Sequence, residues 1–228
     1  MTKNIEQEKQ LAAKEAVKFI ADHQIVGLGT GSTAYYAIRE VGEMIKQGLD
    51  IQAVPTSNKT KELAESLHIP LVDINAVQSI DVTIDGADEF NRDLMLIKGG
   101  GGALLREKIV ASLTREFIII ADSSKKVAVL GKFKLPIEVI PFAANYVLRQ
   151  IQSLHGSGII RSVGGKPFIT DQGNFIVDAD FGLITNPSQL AARLDEIVGL
   201  VEHGLFINMA SKVIMGINGT TETFSREG

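Results

Sequence analysis

The chain has 228 residues, enough for one large domain or two smaller ones with a buried core. Its 45% hydrophobic and 22% charged residues are typical of a globular protein, and a net charge of −4 argues against nucleic-acid binding. The absence of cysteine excludes disulfides, thiolate nucleophiles and cysteine-ligated zinc. The polar N-terminus does not resemble a signal peptide, and no apolar run could span a membrane. We therefore expect a cytoplasmic protein that binds neither nucleic acid nor membrane.

Apolar segments alternate with amphipathic helical segments over the first 130 residues. The predicted helices cover about 4–21, the residues after the first glycine turn to about 46, 58–67 and 103–115. The predicted strands cover 25–28, 51–54, 70–74, 82–84, 95–97 and 117–120. This alternation is typical of a Rossmann-like α/β fold, in which helices cover both faces of a doubly wound, mostly parallel sheet.

The pattern changes near residue 131. Strands are predicted at 135–140, 158–163 and 205–207, helices at 143–154 and 187–198, and a hairpin at 168–180 that turns at 171–174. The order β-α-β-β-α-β is that of a ferredoxin-like α+β unit. We predict a Rossmann-like domain of residues 1–130 plus 207–228, and a smaller ferredoxin-like domain of residues 131–206.

A glycine-rich turn, GLGTGST, joins the first predicted strand to its helix at residues 27–33. It is not a dinucleotide fingerprint, because Ser32 stands where the third glycine is needed. Backbone N–H groups at the helix start and the hydroxyls of Thr30, Ser32 and Thr33 could bind a phosphate. Alternatively, Ser32 caps the helix and the glycines serve only the turn.

Asp85 and Asp88 follow the strand predicted at 82–84. Ligands of open α/β sheets bind beyond the carboxyl ends of the strands, so both carboxylates are candidates for chemistry. Mutual repulsion between neighbouring carboxylates raises the pKa of at least one, which suits proton transfer near neutrality. In the alternative interpretation, Asp88 caps a turn and Asp85 is solvated.

Lys98 and four glycines, residues 99–102, follow the next predicted strand. Consecutive glycines are entropically costly and indicate backbone that lies against something. Their N–H groups precede a predicted helix and could stabilise a developing oxyanion, with the Lys98 ammonium beside them. The four histidines show no spacing typical of metal ligands, and we expect no metal site.

The helix after the glycines carries Glu107. Leu105, Ile109 and Leu113 repeat at helical spacing and are expected to face the core, which turns Glu107 about 200° away from Leu105. A glutamate on such a face is usually only solvated. Its position within two turns of the glycine loop nevertheless suits a carboxylate that removes a proton next to a carbonyl.

Four motifs, GLGTGST, IDGADEF, KGGGGALLREK and ADSSK, resemble in order and separation those of ribose-5-phosphate isomerase of the A type. Each is weak alone, but four in register are specific, and the resemblance continues through GKFKLPIEVIP and GKPFITDQGNFIVD. The resemblance implies an enzyme that interconverts ribose 5-phosphate and ribulose 5-phosphate in the pentose phosphate pathway. It also implies that no metal or organic cofactor is needed, and that the protein is a homodimer or a dimer of dimers.

The resemblance also assigns roles to residues of this chain. Glu107 corresponds to the base that moves a proton between C2 and C1, and Asp85 to the group that assists ring opening, with Asp88 and Lys98 completing the catalytic set. The substrate-binding positions that it implies are Lys9, Thr30, Gly31, Ser32, Thr33, Asp85, Gly86, Ala87, Asp88, Lys98, Gly99, Gly100, Gly101 and Lys125.

Three other functions compete with the isomerase. A non-catalytic sugar-phosphate sensor would keep the phosphate site but could dispense with Glu107. An acyl-CoA transferase uses a glutamate as nucleophile, and this chain looks too short for that fold. A nicotinamide dehydrogenase is disfavoured by Ser32 in the first glycine turn.

Overall fold

The structure is a computed structural model that describes residues 4–226. Its α-helices are α1 (Ile5–Ala16), α2 (Ser32–Lys46), α3 (Asn58–Ser66), α4 (Leu104–Ser112), α5 (Ala144–Ser153) and α6 (Pro187–Asp195). Its strands are β1 (Ile25–Leu28), β2 (Gln52–Pro55), β3 (Ile80–Gly86), β4 (Glu89–Phe90), β5 (Leu96–Ile97), β6 (Thr114–Asp122), β7 (Leu135–Val139), β8 (Ser157–Ile160), β9 (Ser162–Val163), β10 (Lys166–Pro167), β11 (Phe175–Asp180), β12 (Leu200–His203), β13 (Leu205–Phe206), β14 (Lys212–Ile217) and β15 (Thr220–Ser225). No helix within this described range is both long and apolar enough to cross a membrane.

The central sheet has six strands in the order β15-β14-β6-β3-β1-β2. All neighbours are parallel except β14 and β15. Side chains alternate across β6, so that Ile118 and Ile120 pack with α1, α2 and α3 on one face. Phe117 and Ile119 enter a second core with Ala111 of α4 on the other face. The predicted doubly wound, mostly parallel sheet is therefore confirmed.

A second sheet has four antiparallel strands in the order β12-β7-β11-β8. Helix α5 follows β7 and α6 follows β11, so the strands lie in the ferredoxin-like order four-one-three-two. Val147 and Ile151 of α5 and Leu194 of α6 pack on Ile137 and Val177 of the sheet. The predicted ferredoxin-like unit is confirmed by this order.

Residues 70–74 do not form the predicted strand. Leu71 makes only an isolated parallel bridge to Ala53 at the edge of the central sheet. The side chain of Asp73 then accepts a hydrogen bond from the Asn75 N–H, and a 3-10 turn begins at Ile74. A local side-chain bond to the backbone thus competes with extension of the strand.

The hairpin predicted over 168–180 is wrong in its first arm. The turn exists, with the Thr170 N–H donating to the Asn174 carbonyl oxygen, but only Ile169 bridges to Phe175. Strand β10 pairs instead with β9, across Gly164 and Gly165 with φ of 60° and 78°. Two adjacent glycines in the left-handed region favour this tight hairpin. The single strand predicted at 158–163 is therefore divided at Arg161 into β8, which belongs to the four-stranded sheet, and β9, which belongs to the hairpin.

The strand predicted at 205–207 is present as β13, but it does not complete the second sheet. It pairs with β5 in a small antiparallel sheet of order β13-β5-β4, and the preceding β12 occupies the edge beside β7. Strands β14 and β15 return to the central sheet. The division into residues 1–130 plus 207–228 and residues 131–206 remains our proposal.

Candidate active site

A pocket of about 230 Å³ lies at the carboxyl ends of β1 and β3 and beside the loop after β5. It is lined by residues of all four motifs: 30–33 of the first, 86–88 of the second, 98–101 and Glu107 of the third, and Lys125 of the fourth. Parallel strands bring their carboxyl ends to one edge of a sheet, which is why motifs distant in sequence meet there.

Lys98 is the centre of a buried ionic cluster. Its Nζ lies 2.9 Å from Asp85 Oδ2 and 3.5 Å from Glu107 Oε2, and it donates to the Gly86 carbonyl oxygen. The three side chains are at most 4% exposed. Burial lowers the pKa of Lys98, but the carboxylates of Asp85 and Glu107 outweigh it and hold the pKa above its usual value. Lys98 is therefore cationic.

Asp85 is held by the backbone of two motifs. Its Oδ1 accepts the N–H groups of Thr30 at 3.0 Å and Gly86 at 2.7 Å. A Cβ at Gly29 would lie only 2.2 Å from that oxygen, so glycine is required for this approach. Burial raises the pKa of the Asp85 carboxyl, and Lys98 and the two amides partly offset the rise.

Glu107 lies on the buried face of α4, contrary to prediction. Leu104, Glu107 and Val110 form the buried stripe, whereas Ile109 is 43% exposed and lines a separate cavity of about 560 Å³. The predicted stripe of Leu105, Ile109 and Leu113 is wrong because α4 packs through its 104–107–110 face.

The Glu107 carboxyl has a strongly perturbed protonation equilibrium. Burial raises its pKa to about 8; Lys98 opposes the rise, and Asp85 and Asp88 add to it. Its Oε2 has no hydrogen-bond partner within residues 4–226. Such a group can accept and return protons near neutral pH.

Asp88 contacts the backbone of the glycine loop. Burial is the largest cause of the raised Asp85 pKa, rather than the repulsion between two carboxylates that the sequence suggested. Asp88 Oδ2 instead accepts the Gly100 N–H at 2.7 Å, so it anchors the glycine loop at the mouth of the pocket.

The glycine loop takes a conformation that side chains would prevent. Gly99 and Gly102 have φ of 104° and 76°, and a Cβ at Gly102 would lie 2.4 Å from the Phe168 ring. The Gly101 N–H donates to no acceptor within the described part of the chain. It is therefore available to an oxygen atom of a ligand.

The first glycine turn leaves donors at the start of α2. Gly31 is the N-cap, and no side chain among residues 4–226 caps the helix, so the alternative in which Ser32 caps it is wrong. The Thr30 hydroxyl is engaged by Thr56, Ser57 and Thr60 at 2.8, 2.9 and 3.0 Å. Free N–H groups at a helix N-terminus suit a phosphate, and the Ser32 and Thr33 residues line the same pocket.

The structure brings together every predicted site residue except Lys9. Lys125 lines the pocket, and Asp85 lies behind its wall in contact with Lys98 and Thr30. Lys9 is not among the lining residues, and its Nζ lies 2.7 Å from Glu6 Oε1. Its neighbour Glu8 accepts the Ser123 N–H, which ties α1 to the loop that carries Lys125.

Sequence reasoning missed a contribution from the second sheet. Arg161, between β8 and β9, donates to the Gly99 and Gly100 carbonyl oxygens and pairs with Asp178 of β11. The only local signal was a charged residue in each of two apolar segments, at Ile159-Ile160-Arg161 and Val177-Asp178-Ala179.

Outside the pocket, Asp195, Glu202 and His203 have ligand atoms close enough together to hold a cation. Its atoms already have protein partners. The Lys108 ammonium lies 2.6 Å from Glu202 Oε1, and His203 Nδ1 accepts the Leu205 N–H. Burial, followed by repulsion from Lys108, lowers the His203 pKa to about 4, so this histidine is neutral.

Comparisons with known proteins agree over most of the chain. Residues 52–219 match the family described as Ribose 5-phosphate isomerase A (phosphoriboisomerase A). Ribose-5-phosphate isomerase A of Bacillus mycoides is 53% identical over 216 residues, covering 94% of this chain and 98% of the relative. The same-named protein of Sphingopyxis alaskensis is 48% identical over 223 residues, covering 98% of each.

Solved structures of such isomerases superpose on nearly the whole chain. A D-ribose-5-phosphate isomerase in complex with phospho-erythronic acid superposes with a TM-score of 0.95 at 41% identity, covering 98% of this chain and 100% of that one. Ribose 5-phosphate isomerase from Plasmodium falciparum has a TM-score of 0.95 at 35% identity, with the same coverage. The similarity therefore includes both sheets.

Proposed function

The chain belongs to the ribose 5-phosphate isomerase A family, and we propose that Glu107 is the base with which it interconverts D-ribose 5-phosphate and D-ribulose 5-phosphate. It is an aldose–ketose isomerase. We assign Glu107 as the base because its carboxyl is buried beside Lys98 and the glycine loop and has a pKa of about 8.

The substrate phosphate binds at the N-terminus of α2, where Ser32, Thr33 and the first-turn N–H groups meet Lys125 across the pocket. This orientation directs the carbonyl end of the sugar toward Glu107 and residues 98–101. Remote binding of the phosphate holds the reacting carbons close to the base, which removes much of the entropic barrier.

Proton transfer follows in two half-steps. Asp85 assists opening of the furanose ring, and ionised Glu107 then removes the proton from C2 of the aldose. The C–H electrons form the C1–C2 double bond, and the carbonyl oxygen O1 takes up negative charge. Glu107 returns its proton to C1 while the O2 hydroxyl proton is transferred to O1, which yields the C2 ketone. One carboxylate serves both carbons, because the proton leaves and returns on the same face.

The developing negative oxygen is stabilised by charge and by hydrogen bonding. Lys98 supplies a buried cation, and the Gly101 N–H supplies a donor without a protein acceptor among residues 4–226. Because the cluster is secluded from water, these interactions are stronger than they would be in bulk solvent. Asp88 contributes by holding the loop through the Gly100 N–H.

A non-catalytic sugar-phosphate sensor is the weaker candidate. A sensor requires only the phosphate site, whereas a buried carboxyl with a raised pKa costs folding stability that binding alone does not demand.

Purified protein mixed with ribose 5-phosphate and EDTA tests the function, with ketose formation as the readout. Sustained turnover in the chelator is expected, since no step requires a metal ion. Sugar-phosphate binding without ketose formation would favour the sensor and contradict the isomerase.

We further propose that the enzyme is a cytoplasmic homodimer, or a dimer of dimers. The family resemblance supports the assembly, and a cysteine-free composition is compatible with a reducing compartment. Light scattering is expected to give a multiple of the 24.6 kDa chain mass, and the mass of a single chain would contradict the assembly.

A further inference from the structure

Arg161 connects the ferredoxin-like sheet to the glycine loop. Its Nη1 lies 3.0 Å from both the Gly99 and the Gly100 carbonyl oxygens. Its other edge forms a two-point ion pair with Asp178, with Nε–Oδ2 at 3.0 Å and Nη2–Oδ1 at 2.5 Å. All of the guanidinium nitrogens are therefore engaged, either by a carboxylate or by the loop backbone.

The direction of these two carbonyl groups decides where the next amides point. No cis peptide occurs within the described residues, and in a trans peptide the C=O and the following N–H point in opposite directions. When the Gly99 carbonyl points to Arg161, the Gly100 N–H points away from it, and it donates to Asp88 at 2.7 Å. When the Gly100 carbonyl points to Arg161, the Gly101 N–H must also point away from it.

That Gly101 N–H is the donor that has no acceptor within residues 4–226, and Gly101 lines the pocket. Arg161 and the pocket thus lie at opposite edges of the same two peptide groups. The guanidinium charge also polarises both peptides, which strengthens their N–H groups as donors.

The glycine loop cannot hold this orientation through side chains of its own. Glycine has the largest backbone freedom of any residue, so a run of four would sample many peptide orientations. Arg161 is itself held in place, because its side chain is only 14% exposed and is paired with Asp178, and the Phe168 ring lies 5.9 Å from its guanidinium carbon. Phe168 in turn packs where a Cβ of Gly102 would be.

We propose that Arg161 is a positioning residue for the isomerisation: by holding the Gly99 and Gly100 carbonyls, it aims the Gly101 N–H at the enediolate oxygen. This role presupposes the proton transfer through an enediolate proposed above. It gives the ferredoxin-like unit a part in catalysis, although none of the residues of its four-stranded sheet lines the pocket.

The test compares Arg161→Met with the wild-type protein and with Arg193→Met. Methionine keeps much of the apolar stem and removes every guanidinium bond. Arg193 lies on α6 in an exposed pair with Glu196 at 3.6 Å, so its replacement is a matched control for losing one arginine from the same unit.

Four quantities separate positioning from simple structural support: kcat, KM for ribose 5-phosphate, and the Kd values of phospho-erythronic acid and of inorganic phosphate. Phospho-erythronic acid carries a carboxylate that resembles the charged enediolate, whereas inorganic phosphate reports only the phosphate site. In Arg161→Met we expect kcat to fall about 10- to 100-fold. A misaligned donor lowers the rate by less than complete removal of an oxyanion donor does.

The Kd of phospho-erythronic acid is expected to rise by about the same factor, while KM and the Kd of inorganic phosphate stay within roughly threefold. Arg193→Met is expected to behave as the wild type does. A folded Arg161→Met protein with unchanged kcat and unchanged affinity for the acid would overturn the proposal. So would an equal loss of affinity for the acid and for phosphate, because that result indicates a general distortion of the site.

Asp178→Asn provides a second variant that keeps Arg161 in place while weakening its anchor. In this variant the Kd of phospho-erythronic acid is expected to rise more than the Kd of inorganic phosphate, by a smaller factor than in Arg161→Met. Equal changes in the two Kd values would count against positioning, even if Arg161→Met does not fold. Absence of ketose formation by the wild-type protein would instead contradict the proposed function.

Discussion

Replacing Glu107 with glutamine is expected to remove turnover while it stabilises the fold at alkaline pH. Glutamine has nearly the same shape but cannot ionise, so the variant lacks a base at the pocket and keeps its packing on α4. Loss of a positioned general base typically lowers the rate by about 10²- to 10⁴-fold. The phosphate site is untouched, so sugar-phosphate binding is expected to persist.

The stability change follows from the pKa of the wild-type carboxyl. Burial raises that pKa from 4.5 to about 8, so between these values the folded state binds more protons than the unfolded state. Wild-type stability therefore falls as pH rises through this window. At about 1.4 kcal/mol per pKa unit, the loss has a ceiling of about 5 kcal/mol above pH 8.

The variant escapes this loss, but Lys98 also loses one of its two carboxylate neighbours. We therefore expect Glu107→Gln to be more stable than the wild type by about 1 to 3 kcal/mol at pH 9, and to differ little at pH 5. Urea denaturation at both pH values measures the difference. Glu62→Gln, at an exposed position of α3, is the matched control and is expected to shift neither value.

Two results would refute this reasoning. Retained ketose formation by Glu107→Gln would remove Glu107 from the mechanism. A stability difference from the wild type that is the same at pH 5 and pH 9 would mean that burial does not hold the carboxyl protonated in the folded state.

Three further outcomes are expected. The wild-type kcat/KM rises about tenfold per pH unit up to about pH 8 and then levels, because only ionised Glu107 accepts the C2 proton; a flat profile from pH 6 to 9 would contradict this. Asp85→Asn slows reaction of the cyclic substrate more than that of an open-chain analogue, and equal losses in the two rate assays would exclude a ring-opening role. Gly29→Ala destabilises by about 1 to 3 kcal/mol, because its Cβ would lie 2.2 Å from Asp85 Oδ1. In Gly101→Ala the new Cβ would lie 3.7 Å from its nearest neighbour, a carbon of Thr30, so this variant melts near the wild type. Equal melting temperatures of Gly29→Ala and Gly101→Ala would disprove the steric argument.

Local patterns in the sequence were sufficient for the fold class. Runs such as Phe117–Ile120 and the helical periodicity between them reflect which faces must be buried, so the alternation of elements predicts a doubly wound sheet. The order β-α-β-β-α-β in the second half likewise predicts the ferredoxin-like sheet. Predictions failed where local bonds or paired glycines redirected the chain, at Asp73 and at Gly164 and Gly165.

The motifs, through the family resemblance that they carry, identified all of the residues that line the pocket. These residues meet because parallel strands bring their carboxyl ends to one edge of the sheet. The burial of Glu107 could not be read from the sequence. Which face of α4 is buried depends on what packs against it, and the apolar spacing of Leu105, Ile109 and Leu113 pointed to the wrong one.

Amino-acid order by itself determined the two sheets and the set of polar groups at the carboxyl ends of the strands, since both follow from short-range patterns. Only the tertiary structure decided the properties of those groups. A pKa depends on desolvation and on charges from distant segments, as Glu107 illustrates with Lys98 and Asp85. Arg161 and Gly99, which are in contact, are 62 residues apart in the sequence. A local sequence pattern does not predict a contact between such distant positions.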